Sequence, residues 1–99
     1  MSAVVSITGQ RVLPHAFLGS ATVNGRPAAD GTVVTAWVDG QQVIARSVTD
    51  GYYPVLLVEP RSGSFVGKTV TFTIGGTPAE ETVLWKSGEV IELNLTAFC

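Results

Sequence analysis

His15 is the only histidine in the chain, and that alone limits the chemistry open to this protein. A single imidazole excludes a multi-histidine metal site and leaves one candidate base for any nucleophile triad. With Pro14 beside it, His15 reads as a loop residue. The eight carboxylates are Asp30, Asp39, Asp50, Glu59, Glu80, Glu81, Glu89 and Glu92. Each Asp precedes a glycine, which turn formation explains without a ligand. No Asp-x-Asp-x-Asp-Gly calcium loop is present. Glu80 and Glu81 are adjacent, so on entering a strand they diverge, and they read as solvated charge. Serines and threonines are plentiful, but none sits in a nucleophile elbow. Gly75-Gly76 opens no helix, so it reads as a hairpin turn and not as a phosphate cradle. Asn94-Leu95-Thr96 matches a glycosylation sequon inside a strand, with no secretion signal to give it meaning. Cys99 is the last residue and the lone cysteine, and it has no intrachain disulfide partner. The expectation is a protein that is not an enzyme and that takes no cofactor and no metal.

The elements that carry these residues are short. Turn dipeptides punctuate the chain at Asn24-Gly25, Asp30-Gly31, Asp39-Gly40, Asp50-Gly51, Ser62-Gly63, Gly75-Gly76 and Ser87-Gly88. Between them lie runs rich in Val, Thr, Ile and aromatic residues, which suit a pleated surface. Strands are predicted over 3–8, 16–23, 32–39, 42–49, 52–58, 68–74, 81–86 and 90–95. No stretch keeps helical periodicity for three turns, so the chain is all-β. The alternation that belongs to a strand then assigns faces. Phe17, Gly19, Ala21 and Val23 share one side, Val70, Phe72 and Ile74 point inward, and Ile91, Leu93 and Leu95 do the same. Phe72 and Trp85 are core by phase. In 52–58 both sides are apolar, which suits a strand that is central or covered on both faces, although Pro54 belongs at an edge or bulge.

Ninety-nine residues make one domain. Charged residues are only 14% of the chain, below the roughly 25% typical of soluble domains, and this hints at a surface partly covered by neighbours. The net charge of -2, with six scattered Lys and Arg, forms no basic stripe and excludes nucleic acid as a partner. The longest apolar runs are strand-sized, so no membrane insertion is expected.

The segments Gly19-Ser20-Ala21-Thr22-Val23-Asn24-Gly25-Arg26-Pro27-Ala28, Asp30-Gly31-Thr32-Val33-Val34 and Val48-Thr49-Asp50-Gly51-Tyr52-Tyr53 come in a telling order. Gly67 to Phe72 and Gly88 to Leu95 follow them. From Phe17 to Leu95 the chain resembles transthyretin-like modules of the carboxypeptidase-regulatory-like kind. The resemblance implies an immunoglobulin-like Greek-key sandwich of seven to eight short strands, used as an accessory, stalk or surface module without catalysis. The chain departs from that pattern as a lone module with no attached enzyme or anchor.

Residues 14–99 then form the sandwich, and residues 1–13 form a first strand or an arm that reaches a neighbour's open edge. The start has neither a charged region nor a long apolar one, so either the protein is made without secretion or a leader has been removed; the first is the expectation, because the chain reads like a complete small reading frame. Trp37 falls on the outward phase beside Val33, with Leu18 near it and one of Tyr52 and Tyr53 exposed. An outward Trp among β-branched residues is a candidate contact. The candidate interface is Val4, Val5, Ile7, Leu18, Val33, Trp37 and Tyr52. The function expected is a non-enzymatic structural protein that assembles with itself or docks on a larger lattice. A virion surface or decoration protein fits, as does an extracellular filament subunit. The alternative is a cell-surface or S-layer-associated module that recognises protein or carbohydrate.

Overall fold

The computed structural model describes residues 13–60 and 63–99, which contain nine strands and no helix. The strand expected over 3–8, with Val4, Val5 and Ile7, lies outside these residues. In chain order the strands are β1 His15–Val23, β2 Arg26–Pro27, β3 Val33–Val38, β4 Gln41–Ser47, β5 Tyr52–Val58, β6 Thr69–Ile74, β7 Thr77–Leu84, β8 Val90–Glu92 and β9 Leu95–Ala97.

Two-residue turns set the registers. Val23 pairs with Arg26, Val38 with Gln41, Thr49 with Tyr52 and Ile74 with Thr77. Both residues of each turn have positive φ: Asn24 and Gly25, Asp39 and Gly40, Asp50 and Gly51, Gly75 and Gly76. That backbone matches the natural twist of a hairpin, and Asn, Asp and Gly tolerate it best.

The strands form one curled mixed sheet in the order β2-β1-β9-β7-β6-β3-β4, with β5 and β8 also paired to β1. It folds into two walls. In the first, β1 has β5 and β2 on one edge and the parallel strands β8 and β9 on the other. In the second, β4, β3, β6 and β7 are antiparallel. The corner strand is β7. Thr71 pairs with Thr82 and Thr73 with Pro78, so Ala79–Glu81 bulge out, and Ala79 reaches Ala97 of β9. A bulge lets one strand serve two walls. No ladder joins β4 to β5 among the described residues, so the curl stays open there as a half-barrel.

The core lies between the walls. Phe17 of β1 meets Phe72 of β6 edge-on at 5.2 Å between centroids, and both are buried with Leu56, Val70, Ile74 and Leu95. Such a pair contributes about 1 kcal/mol beyond its burial. The Trp85 indole N–H donates to the Val58 carbonyl at 2.8 Å, tying the end of β7 to β5.

Four expectations need correction. His15 is no loop residue: it opens β1 and is fully buried. Its ring lies 4.2 Å from that of Phe17, and its Nδ1 accepts the Lys86 N–H at 3.0 Å, so a backbone partner offsets part of the burial. The strand expected over 81–86 begins at Thr77, because pairing to β6 and β9 recruits Thr77–Glu80. The strand expected over 90–95 divides into β8 and β9 where Leu93-Asn94 pass Gly19. There the Leu93 N–H donates to the Leu18 carbonyl, and Asn94 Oδ1 accepts the Ser20 N–H at 3.0 Å. Finally, β5 pairs only with β1 among the described residues, so it is not central, and exposed Tyr52, Val55 and Leu57 show that its outer face is not covered by them either. Pro54 falls at its register shift, where a missing N–H costs no ladder bond.

Candidate functional surfaces

The inward side chains of the two walls are consumed by the core, so any site must be built on the outer faces or at the ends. The outer face of the β1 wall is read from its registers. Leu57 of β5, Ala16 of β1 and Val90 of β8 stand side by side in one row across three strands. Leu18 and Glu92 form the next row. Opposite Leu18 lies the shifted segment of β5 that carries Val55. Leu18, Val55, Leu57 and Val90 are all exposed, Val90 at 69%, whereas Ala16 is buried between its taller neighbours. Tyr52, paired with Ser20, extends the face and is 62% exposed, while Tyr53 turns into the core. Glu92 is the one charge in these rows.

The outer face of the second wall differs. Its outward paired positions are Val33, Thr35 and Trp37 on β3, Thr69, Thr71 and Thr73 on β6, Pro78, Thr82 and Leu84 on β7, and Gln42, Ala45 and Ser47 on β4. None is charged; the outward charge on β7 is Glu80, in the bulge. Trp37 is half-buried, and its indole N–H donates to Thr73 Oγ1 at 3.0 Å. Its direct register partner is Thr71, so the bond to Thr73 draws the ring diagonally across β6. Where β7 bulges away from β6, this ring borders a groove of ≈ 400 Å³ with Thr71, Thr73, Pro78, Ala79 and Thr82. Its walls are mainly methyl, methylene and ring carbon.

The residues grouped by sequence therefore divide. Val33 and Trp37 share the second wall, Leu18 and Tyr52 lie on the outside of the first, and the core separates the pairs. Leu18 does not adjoin Trp37. Alternation along a strand gives the face of each residue but not which wall its strand joins. The row Leu57–Ala16–Val90 was missed for the same reason, since the parallel pairing of β8 to β1 leaves no local mark.

Polar groups elsewhere are occupied in holding the fold. Glu81 diverges from exposed Glu80 as expected, yet it is not simply solvated: its Oε1 accepts the Thr96 N–H at 2.7 Å across the corner. Tyr53 donates its hydroxyl hydrogen to the Leu93 carbonyl at 2.5 Å. Burial raises its pKa, and Glu81 and Glu92 add to the rise. Burial also lowers the pKa of His15, against a smaller upward pull from Glu89, whose carboxylate lies 4.0 Å from Nε2, and a further lowering from Lys86. A cleft of ≈ 420 Å³ beside the β3–β4 turn contains Asp39 and Glu59, and Lys68 pairs with Asp39 at 2.7 Å. Among the described residues no three His, Cys, Asp or Glu gather as metal ligands, and no helix is long and apolar enough to cross a membrane.

No protein-family model, curated protein or solved structure matches this chain.

Proposed function

We propose that this domain is a non-enzymatic structural protein that acts by associating with copies of itself or by docking on a larger protein lattice. A virion surface or an extracellular filament is the setting that suits it, and a transthyretin-like, immunoglobulin-like sandwich is the architecture to which we assign it. The observation that carries this reading is the exposure, among the described residues, of Leu57 and Val90 on either side of buried Ala16, with Leu18 and Val55 exposed beside them. Contiguous apolar side chains on an outer face lower their free energy by meeting another surface. The low charge of the whole chain points the same way. The sole imidazole is buried and its Nδ1 accepts the Lys86 backbone N–H, so the fold itself gives it a role.

The test is sedimentation velocity over a wide concentration range. Wild-type protein is expected to show a rising weight-average mass, and Val90→Glu is expected to lower it while leaving thermal unfolding unchanged. A chain that stays strictly monomeric at millimolar concentration would sink the self-association half of the proposal and leave only docking on a lattice of other proteins. Deleting residues 1–10 asks whether the N-terminal segment is a connector between subunits. Assembly unchanged by the deletion removes it from that role.

The alternative is a cell-surface or S-layer-associated module that recognises protein or carbohydrate. The groove beside Trp37 favours it, as a concave, mostly apolar site with a few hydroxyls. That reading predicts a monomer.

A further inference from the structure

We propose that residues 86–90, which join β7 to β8, are a latch over His15 that lets go in mild acid and bares the start of β1. The latch works within a single copy and does not depend on self-association. Between buried Trp85 and half-buried Ile91, every side chain from Lys86 to Val90 is exposed, so no buried side chain holds this stretch down. Hydrogen bonds to the start of β1 hold it instead. The Gly88 N–H donates to the Pro14 carbonyl at 3.1 Å, the Ser87 hydroxyl to the Leu13 carbonyl at 3.1 Å, and the Ala16 N–H to the Glu89 carbonyl at 2.8 Å. The fourth bond runs from the Lys86 N–H to Nδ1 of His15 at 3.0 Å, and it alone of these has a titratable acceptor. The stretch is tied at both ends. The Trp85 indole donates to the Val58 carbonyl, and the Leu93 N–H to the Leu18 carbonyl. A segment with few buried contacts between fixed points opens at lower cost than the fold as a whole.

Both imidazole nitrogens face this segment. Nδ1 accepts from Lys86, while Nε2 is buried without a hydrogen-bond partner and lies 4.0 Å from the Glu89 carboxylate. Lifting residues 86–90 therefore gives the ring to water. In the closed form a proton on Nδ1 sets N–H against N–H, so the closed latch resists it. Burial depresses the closed pKa, whereas the wetted ring takes its proton at the ordinary value of about 6.5. Opening is thus coupled to proton uptake. The open population rises as pH falls through about 6.5, until the closed form is protonated too. Among the described residues, the charges acting on the ring are Glu89, which favours its protonation, and Lys86, which opposes it. From the strands packed on it, Val58 and Phe17 bring no charge, and Glu59 after Val58 is exposed. The open latch strips partners from the carbonyls of Leu13 and Pro14 and the N–H of Ala16. An unpaired strand edge of that kind accepts an added strand.

Amide hydrogen exchange from pH 8 to 5 tests the latch, expressed as protection so that the intrinsic pH dependence of exchange drops out. Protection at Lys86, Gly88 and Ala16 is expected to fall by up to about tenfold per pH unit below about 6.5. Leu93 and the β3–β6 ladder are expected to keep theirs. Two exposed side chains then move the transition in opposite directions. Glu89→Gln removes the pull toward protonation and shifts it to lower pH, and Lys86→Met shifts it to higher pH. Neither change touches the backbone bonds of the latch. Protection at the three amides that is constant with pH overturns the proposal, as does a loss shared equally by the β3–β6 ladder. Variants that leave the transition in place, or move it the same way, overturn it as well, because the titrating group is then not His15.

Discussion

The Nδ1 atom of His15 accepts a hydrogen bond from the backbone N–H of Lys86, and this fixes which nitrogen carries the hydrogen. An acceptor at Nδ1 places the hydrogen of the neutral ring on Nε2, which is buried without a partner. Protonation would put a second hydrogen on Nδ1, facing the Lys86 N–H. Burial lowers the folded pKa below the ordinary 6.5, against the weaker pull of Glu89. The unfolded chain therefore binds the proton first. Stability is complete above about pH 6.5, falls as pH drops from there, and finishes falling at the folded pKa. Thermal unfolding from pH 8 to 5 is expected to show this decline. In His15→Phe the decline over that window should be smaller, and an unchanged slope would assign it to the carboxylates.

Gly19 is held to glycine by its neighbours. Its φ is +153°, and a Cβ there would lie 2.5 Å from the Leu93 carbonyl oxygen. Gly19→Ala is expected to cost about 2 kcal/mol or more, since backbone on both sides must yield. Urea unfolding measures it. A loss below about 0.5 kcal/mol, the range of an ordinary surface change, would show that the crossing of β1 by Leu93-Asn94 is loose.

The two tryptophans should separate cleanly. Trp85 is enclosed and bonded to Val58, so Trp85→Ala is expected to lose about 3–5 kcal/mol. Trp37 is half-buried on an outer face, and Trp37→Ala is expected to lose about 1–2 kcal/mol. Equal losses in denaturant would place Trp37 in the core.

Removal of the Glu81 carboxylate strands the Thr96 N–H at the corner between the walls. Glu81→Ala should cost about 1.5–3 kcal/mol, the range for a hydrogen bond to a charged group. Glu81→Gln keeps an acceptor and should lose less. Amide exchange at Thr96 reports the bond directly.

Much of this fold is legible in local chemistry. Asn24-Gly25, Asp39-Gly40, Asp50-Gly51 and Gly75-Gly76 mark hairpin turns because few other pairs accept consecutive positive φ. The alternation of Val70, Phe72 and Ile74 against threonines gives β6 its inner face without any partner being known. What escapes is set by distant chain. Thr77-Pro78-Ala79-Glu80 has no apolar alternation and is a strand only because β6 and β9 pair with it. Arg26-Pro27 is too short to register as a pattern. The burial of His15 depends on Lys86, and the groove beside Trp37 on a bulge that appears only once two registers are compared. Leu18 and Trp37 have the same outward phase, yet nothing local says that their strands belong to opposite walls.

The parallel ladders of β1 with β8 and β9 join Ala16 to Val90 and Val23 to Ala97. During synthesis, β1 leaves the ribosome with one whole edge lacking its mates, because β8 and β9 lie far downstream of it in the chain. Hairpins such as β3–β4 and β6–β7 can close early, but the first wall cannot be sealed until Ala97 has emerged. Contacts so far apart in sequence slow folding. In the interval the nascent chain displays the unpaired edge of β1 to whatever else the cell is making, and a chain cut short before Val90 would leave it so for good.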